Sequence, residues 1–188
     1  MDWIKPLWMV IVCFCFYLAG CGSDPAPGAS HADSAAPTVA RTPNENSGTQ
    51  ASADYALELA RNLADTWIET YQPRQNAWSW DAGVLMMGLM DLHEVTGDAR
   101  YYQYARAWVD YYIENGYFIT SSDNSIPGYT ALRLYETESD PKYLTVADDV
   151  WHYISEVAGR TSEGGLNHLG LISGNQIWVD SLFMIGPF

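Results

Sequence analysis

Asp180 interrupts an otherwise apolar and aromatic run, Gln176-Ile177-Trp178-Val179-Asp180-Ser181-Leu182-Phe183-Met184, that reads as the opening turns of a buried helix. A lone carboxylate there is costly unless it is paired or takes part in chemistry. The alternative is a solvated acid at a helix start, favoured by the helix dipole. Asp123, shortly before Ile126-Pro127-Gly128, stands in a comparable setting, and a loop between the two acids carries Gly164-Gly165, Asn167 and His168. Two carboxylates and an imidazole are groups whose pKa values shift with burial and with each other's charge, which suits them to proton transfer. No spacing of His, Cys, Asp and Glu suggests a metal site, no glycine pattern suggests a nucleotide, and no cofactor is expected.

The elements that must position these groups are helices. Leu57, Ala60, Ala64, Trp67 and Tyr71 recur at helical spacing, with Asp54 as the expected N-cap and Pro73 ending the run. After a loop holding Trp78 and Trp80, residues 83–92 are apolar nearly all round, as in a helix enclosed by others. Gly97 closes that helix. Asp98 then caps an amphipathic one with the stripe Tyr101, Ala105, Trp108 and Tyr112, stopped at Asn115-Gly116. Pro127 begins a second apolar segment, and Asp140-Pro141 starts a second amphipathic one with the face Tyr143, Ala147, Trp151 and Ile154, ended by Gly159.

The two pairs repeat at a constant offset of 42 residues: Asp81 with Asp123, Leu92 with Leu134, Asp98 with Asp140, Tyr101 with Tyr143, Ala105 with Ala147. This is an internal repeat of helix hairpins, an inner apolar helix followed by an outer amphipathic one. Strongly apolar inner helices favour a closed double ring over an open solenoid, whose concave face meets water. A third unit has only begun at Phe188, and an apolar run breaking off in mid-helix predicts that the sequence is a fragment.

Ahead of the repeat, Met1 to Cys21 has Lys5, an apolar core from Leu7 to Leu18, and Leu18-Ala19-Gly20-Cys21, which resembles a bacterial lipoprotein box with Cys21 as the lipidated residue. The apolar run is shorter than the roughly 18 to 20 residues of a spanning helix. All three cysteines fall in this leader, so no disulfide or thiolate metal site is expected in the mature domain. Residues 22–51, rich in Ala, Ser, Pro, Gly, Asn and Thr and including His31, read as a flexible tether, which leaves 52–188 for the folded domain. The location expected is the bacterial cell envelope, with a lipid anchor as the one membrane attachment. A net charge of −14 argues against nucleic acid and against anionic membrane surfaces as partners.

From about Asp54 to Phe188 the residues resemble the unsaturated glycosyl hydrolases of the glycoside hydrolase 105 and 88 type, the unsaturated rhamnogalacturonyl and glucuronyl hydrolases. The resemblance rests on Trp78-Ser79-Trp80, the helix start Asp98-Ala99-Arg100-Tyr101-Tyr102, Asp123 with Gly128, and Leu134-Tyr135-Glu136. It continues through Gly164-Gly165 to His168, and its most specific part is the series Gln176, Trp178, Asp180, Leu182, Met184, Pro187 and Phe188. The chain departs from the pattern in Gly165-Leu166-Asn167-His168-Leu169, where that family often has a bulky residue and a lysine around the histidine. The resemblance implies an all-α fold, a closed (α/α)6 barrel of six helix hairpins, of which about the first half is present.

It also implies a substrate: an oligosaccharide whose non-reducing end is the 4,5-unsaturated uronic acid left by a polysaccharide lyase, of rhamnogalacturonan or pectin type. Protonation of the enol ether at C4 and capture of the cation by water would release the next sugar. Asp180 is assigned as the proton donor and Asp123 as the acid that orients hydroxyls and holds a shared proton. Trp178 and one of Trp78 or Trp80 are candidates to stack on sugar rings, and His168 to hydrogen-bond the uronate. The competing readings are a surface glycan-binding lipoprotein without turnover, and a barrel acting on saturated sugars as an epimerase or ordinary glycosidase.

Overall fold

The structure, a computed structural model, describes residues 45–170 and 176–188, with side chains from residue 51 onward. The leader, Cys21 and most of the expected tether lie outside the described residues.

Helix α1, Glu45–Thr70, begins nine residues before the Asp54 expected to cap it, so residues 45–51 of the expected tether are helical. Residues 64–188 form one compact unit. Within it come α2 (Trp80–Thr96), α3 (Ala99–Asn115), α4 (Ile126–Glu138), α5 (Pro141–His152) and a short α6 (Ser181–Ile185). None of the described helices is long and apolar enough to cross a membrane.

Both hairpins turn where local chemistry dictates. Gly97 takes a left-handed conformation at φ 73°, and the Asp98 carboxylate then accepts the Arg100 amide at 2.9 Å. In the second hairpin Ser139 takes the left-handed position at φ 54° and Asp140 accepts the Lys142 amide at 3.1 Å. Pro141 supplies the preset φ of a first helical turn.

Inner α2 buries Ala82, Gly83, Met86, Met87, Leu89 and Met90, and inner α4 buries Ile126, Thr130, Ala131 and Leu134. The two inner helices pack on each other and each packs on its outer partner, α3 or α5. The repeat is visible in equivalent side chains. Tyr101 and Tyr143 are both sealed in the core with their hydroxyls donated to aspartates, Asp65 and Asp110, each at 2.9 Å. Such bonds remove the cost of burying a phenol.

Two expected faces shift. Trp151 is 59% exposed, and Val146 and Val150 carry the buried face of α5 beside Tyr143 and Ala147. Tyr71, expected in the α1 stripe, is exposed at the end of its helix. After α5 the chain widens into a π-helical turn, Tyr153–Val157, before Gly159. Buried Asn76 gathers the loop beneath the first hairpin: its carbonyl accepts Trp108 Nε1 at 3.0 Å and Tyr112 Oη at 2.8 Å, and its amide donates to Tyr104 Oη at 2.9 Å.

Candidate active site

The inner helices start at one end of the hairpin array, and each brings an aspartate with it. Ser79 and Ser121 share the same extended backbone, φ −154° and ψ 171°, and two residues beyond each stand Asp81 and Asp123. The chain leaves Ser121 through a 3₁₀ turn, Ser122–Asn124, before α4 begins, so Asp123 projects from a tight turn held by backbone bonds. Gly83 permits this approach of the two helix starts. A Cβ on it would lie 2.8 Å from Ile126 Cγ2 and 3.0 Å from the Pro127 nitrogen.

The Gly164–His168 loop folds back on the same end. Arg160 and Leu166 form an isolated antiparallel bridge, Gly164 turns the chain at φ 85°, and the Asn167 amide bonds the Gly159 carbonyl at 2.8 Å. Gly170, at φ 64°, lets the loop pass the Thr120 backbone, where a Cβ would lie 1.9 Å from the carbonyl oxygen. The loop delivers His168, which is only 2% exposed. Its backbone ties the segments together: the Ser122 amide bonds the His168 carbonyl at 3.3 Å, and the His168 amide bonds the Gln176 carbonyl at 2.7 Å.

His168 lies between the two predicted acids. Nε2 faces Asp123 Oδ1 at 3.6 Å, and Nδ1 is 3.8 Å from Asp180 Oδ1. Burial pushes the Asp123 carboxyl above the usual carboxylate range; His168 draws it down, while Asp180 and then Asp81 push it further up. Asp180 differs from the sequence expectation. It is not walled in by an apolar run: its side chain is 48% exposed, and Ile177, Val179 and Leu182 around it are also open. The reason is that α6 begins only at Ser181 and is one short turn, so residues 176–180 form a surface strap.

The predicted aromatic residues divide. Trp178 stacks flat on His168, with ring centroids 4.2 Å apart and planes 5° apart, and remains nearly half exposed. Trp80 is half-buried at the edge of the Met87, Ile126 and Met184 cluster. Trp78, expected as a possible sugar platform, is instead a core residue: it is 2% exposed and stacked between Trp108 and Tyr117. Its indole donates to the Asn124 carbonyl at 3.2 Å, so no ring face is left for a ligand. His168 is likewise too enclosed to meet a substrate with an open ring face, and it stands behind the acids.

Sequence reasoning missed Ser122 and Ser181, each next to a predicted acid. Both hydroxyls lie 2.8 Å from His168 Nδ1 and both residues are buried. Asp81 was read only as the repeat partner of Asp123, and its charge also reaches that carboxyl. Among the described residues no group of three or more His, Cys, Asp and Glu is arranged to hold a metal ion.

The chain is thus an array of helix hairpins that presents two carboxylates, a buried imidazole and a half-exposed indole at one end. The chain belongs to Glycosyl Hydrolase Family 88, whose family model matches residues 54–188. It is 32% identical over 135 residues to the unsaturated rhamnogalacturonyl hydrolase YesR of Bacillus subtilis (strain 168), a match covering 70% of this chain and 39% of that protein. The chain thus spans well under half of this curated relative. Two crystal structures, each reported as a possible member of the GH105 family, share the fold with a TM-score of 0.53. The one from Klebsiella pneumoniae is 24% identical, covering 57% of this chain and 29% of its own. The other, from Salmonella enterica, is 26% identical, covering 58% and 30%.

Proposed function

We propose that the protein removes a 4,5-unsaturated uronic acid from the non-reducing end of lyase-generated oligosaccharides, rhamnogalacturonan fragments first among them. The observation that carries this reading is the placement of Asp123 and Asp180 around one buried imidazole, in a family whose relative YesR is an unsaturated rhamnogalacturonyl hydrolase.

The enol ether of such a sugar needs one proton on carbon. Asp180, open to the surface, gives its carboxyl proton to C4, and the positive charge that develops is shared between C5 and the ring oxygen. Water adds at C5 and returns a proton to the Asp180 carboxylate. The hemiketal then opens by breaking the bond between C5 and the ring oxygen, which leaves a ketone at C5 and a hemiacetal hydroxyl at C1. Collapse of that hemiacetal to the aldehyde breaks the C1–O bond to the next sugar, which leaves as an alcohol, so that one water is consumed and the enzyme is regenerated. Asp123, the carboxyl that burial and its acidic neighbours push up, shares the one proton of the pair with Asp180, stands as the carboxylate when Asp180 carries that proton, and orients sugar hydroxyls. Trp178 offers its free face to a sugar ring. Oxocarbenium-like charge is stabilised by nearby carboxylates, as in ordinary glycosidases, although no glycosidic carbon is attacked here.

The leader 1–21 supports a lipid anchor on Cys21, with residues from Gly22 onward as tether and attachment to the bacterial cell envelope. Replacing Cys21 by Ser should release the protein from the membrane fraction, and retention of the variant there would overturn the anchor.

The deciding experiment is the loss of absorbance at roughly 235 nm, where the enol ether absorbs, on adding unsaturated pectin-derived and glycosaminoglycan-derived disaccharides to the intact protein, with Asp180→Asn alongside. Decay abolished by Asp180→Asn supports the hydration reaction and ranks the substrates. Binding without decay, undiminished in Asp123→Asn and Asp180→Asn, replaces it with a glycan-binding lipoprotein. Turnover of saturated sugars alone points to the epimerase or ordinary glycosidase.

A further inference from the structure

The two serines on His168 present a counting problem with one economical solution. An imidazole Nδ1 has either one lone pair or one hydrogen, yet two buried hydroxyls stand 2.8 Å from it. Ser122 Oγ also reaches the His168 carbonyl at 3.1 Å, an oxygen that can only accept. Giving the Ser122 hydrogen to that carbonyl leaves the Ser181 hydrogen for Nδ1. Both serine hydrogens then have an acceptor, and the ring hydrogen falls on Nε2, facing Asp123 at 3.6 Å. The opposite arrangement turns an Nε2 lone pair toward the Asp123 carboxylate, which at 3.6 Å is nearer and less exposed than Asp180 at 3.8 Å from Nδ1, and leaves the Ser181 hydrogen only Ser122 Oγ at 3.4 Å as acceptor.

We infer that Ser181, aided by Ser122, is a positioning residue that fixes His168 with its hydrogen on Nε2, so that the imidazole turns its N–H dipole toward the Asp123 carboxylate 3.6 Å away and is not a ligand for the sugar. The hydrogen bond made by one ring nitrogen sets what the other carries. Trp178 completes the clamp by lying flat on the ring, which blocks its rotation out of plane. The same three groups exclude a nucleophilic serine: both hydroxyls are sealed from solvent and both lean on the same nitrogen, so neither can reach an acyl or glycosyl centre. The two serines therefore act through His168 on the carboxylate pair. This deepens the hydrolase reading as far as catalysis is concerned, while the tautomer stands on the geometry alone.

The test reads the ring nitrogens directly. The chain has four histidines, and in ¹⁵N-histidine-labelled intact protein the His168 signals are those lost in His168→Gln. The expected spectrum has an unprotonated, hydrogen-bonded Nδ1 and a protonated Nε2. A hydrogen on Nδ1 overturns the inference, whatever the activity. In Ser122→Ala/Ser181→Ala the Nδ1 signal should move and kcat should fall about tenfold with KM changed less than about twofold, the size of effect typical of a supporting hydrogen bond; Ser181→Thr, which keeps the hydroxyl, should restore both. A double variant with unchanged ring signals and unchanged kcat overturns the inference as well. Should the intact protein hydrate no unsaturated sugar, the hydrolase reading falls, and the wild-type nitrogen spectrum still decides the tautomer.

Discussion

The indole of Trp178 lies parallel to the imidazole of His168, 4.2 Å away, with only 5° between the planes. One face of the indole is thereby committed to the protein, while nearly half of the residue stays open beside Asp180. The same side chain thus closes the site from beneath and offers it a platform above.

Trp178→Ala should lower kcat/KM by about tenfold or more, since a lost ring contact is worth about 0.5–1.5 kcal/mol before the exposed imidazole is counted. Trp178→Phe, which keeps a flat ring, should retain most of it. Steady-state kinetics on an unsaturated disaccharide would check both, and equal loss in the two variants would speak against stacking.

Trp78→Ala should behave oppositely, as a stability variant. Its indole is stacked at 5.1 Å on Trp108 and 4.9 Å on Tyr117, and its backbone carbonyl and ring nitrogen exchange bonds with Asn124. Removing it should cost about 3–5 kcal/mol, the usual range for a large aromatic taken from a core. Urea denaturation measures this, and a loss under about 1 kcal/mol would contradict the core assignment.

Asp123→Asn should raise thermal stability at neutral pH while removing activity. The folded protein raises the pKa of this carboxyl above its ordinary value, so ionising it at neutral pH works against folding. Below the unfolded pKa both states hold the proton and the penalty is absent; it appears as pH rises through the folded pKa. The gain in Tm over wild type should therefore be present at pH 7 and fade below pH of about 4. A Tm lower than wild type at pH 7 would show that Asp123 is held by favourable partners instead.

Gly83→Ala should cost about 1–3 kcal/mol, the range for forcing a methyl into a closed core. The new Cβ would press on Ile126 and on the Pro127 nitrogen, which belongs to backbone and cannot swing aside. Since that backbone carries the turn of Asp123, activity measured well below the melting temperature should fall too. Full activity in a destabilised variant would show that the turn is not displaced.

Much of the helical frame was legible because its signals are local. Gly97 with Asp98, and Asp140 with Pro141, mark the hairpin ends through bonds made within two residues, and all-round apolar character marks α2 as an inner helix. The start of α1 is not legible, because Asp54 is a good capping type that here lies inside a helix begun nine residues earlier. At the site, the two acids were found by their odd settings, and the structure brings both to His168. The setting of Asp180 differs from the expectation, since apolar neighbours in sequence need not be buried, and Ile177, Val179 and Leu182 are exposed. Trp78 and Trp178 are the same residue type in similar company; what separates them is Trp108 and Tyr117 for one and His168 for the other, partners set by the tertiary fold. Ser122 and Ser181 carried no signal at all, because a single serine has no periodicity and is common at helix starts.

The bond network around His168 also sets an order of events as the chain folds. Ser122 and Ser181 are 59 positions apart along the chain, while each hairpin closes through residues that are immediate neighbours. Local contacts form early because little loop-closure entropy is spent on them, and distant ones follow. The frame of helices is therefore expected to form before the clamp on His168, and the clamp to let go first under mild denaturant. A chain caught between those two moments would show nearly its full helical signal while the carboxylates stand unjoined, so helicity is a poor witness to whether this protein is competent.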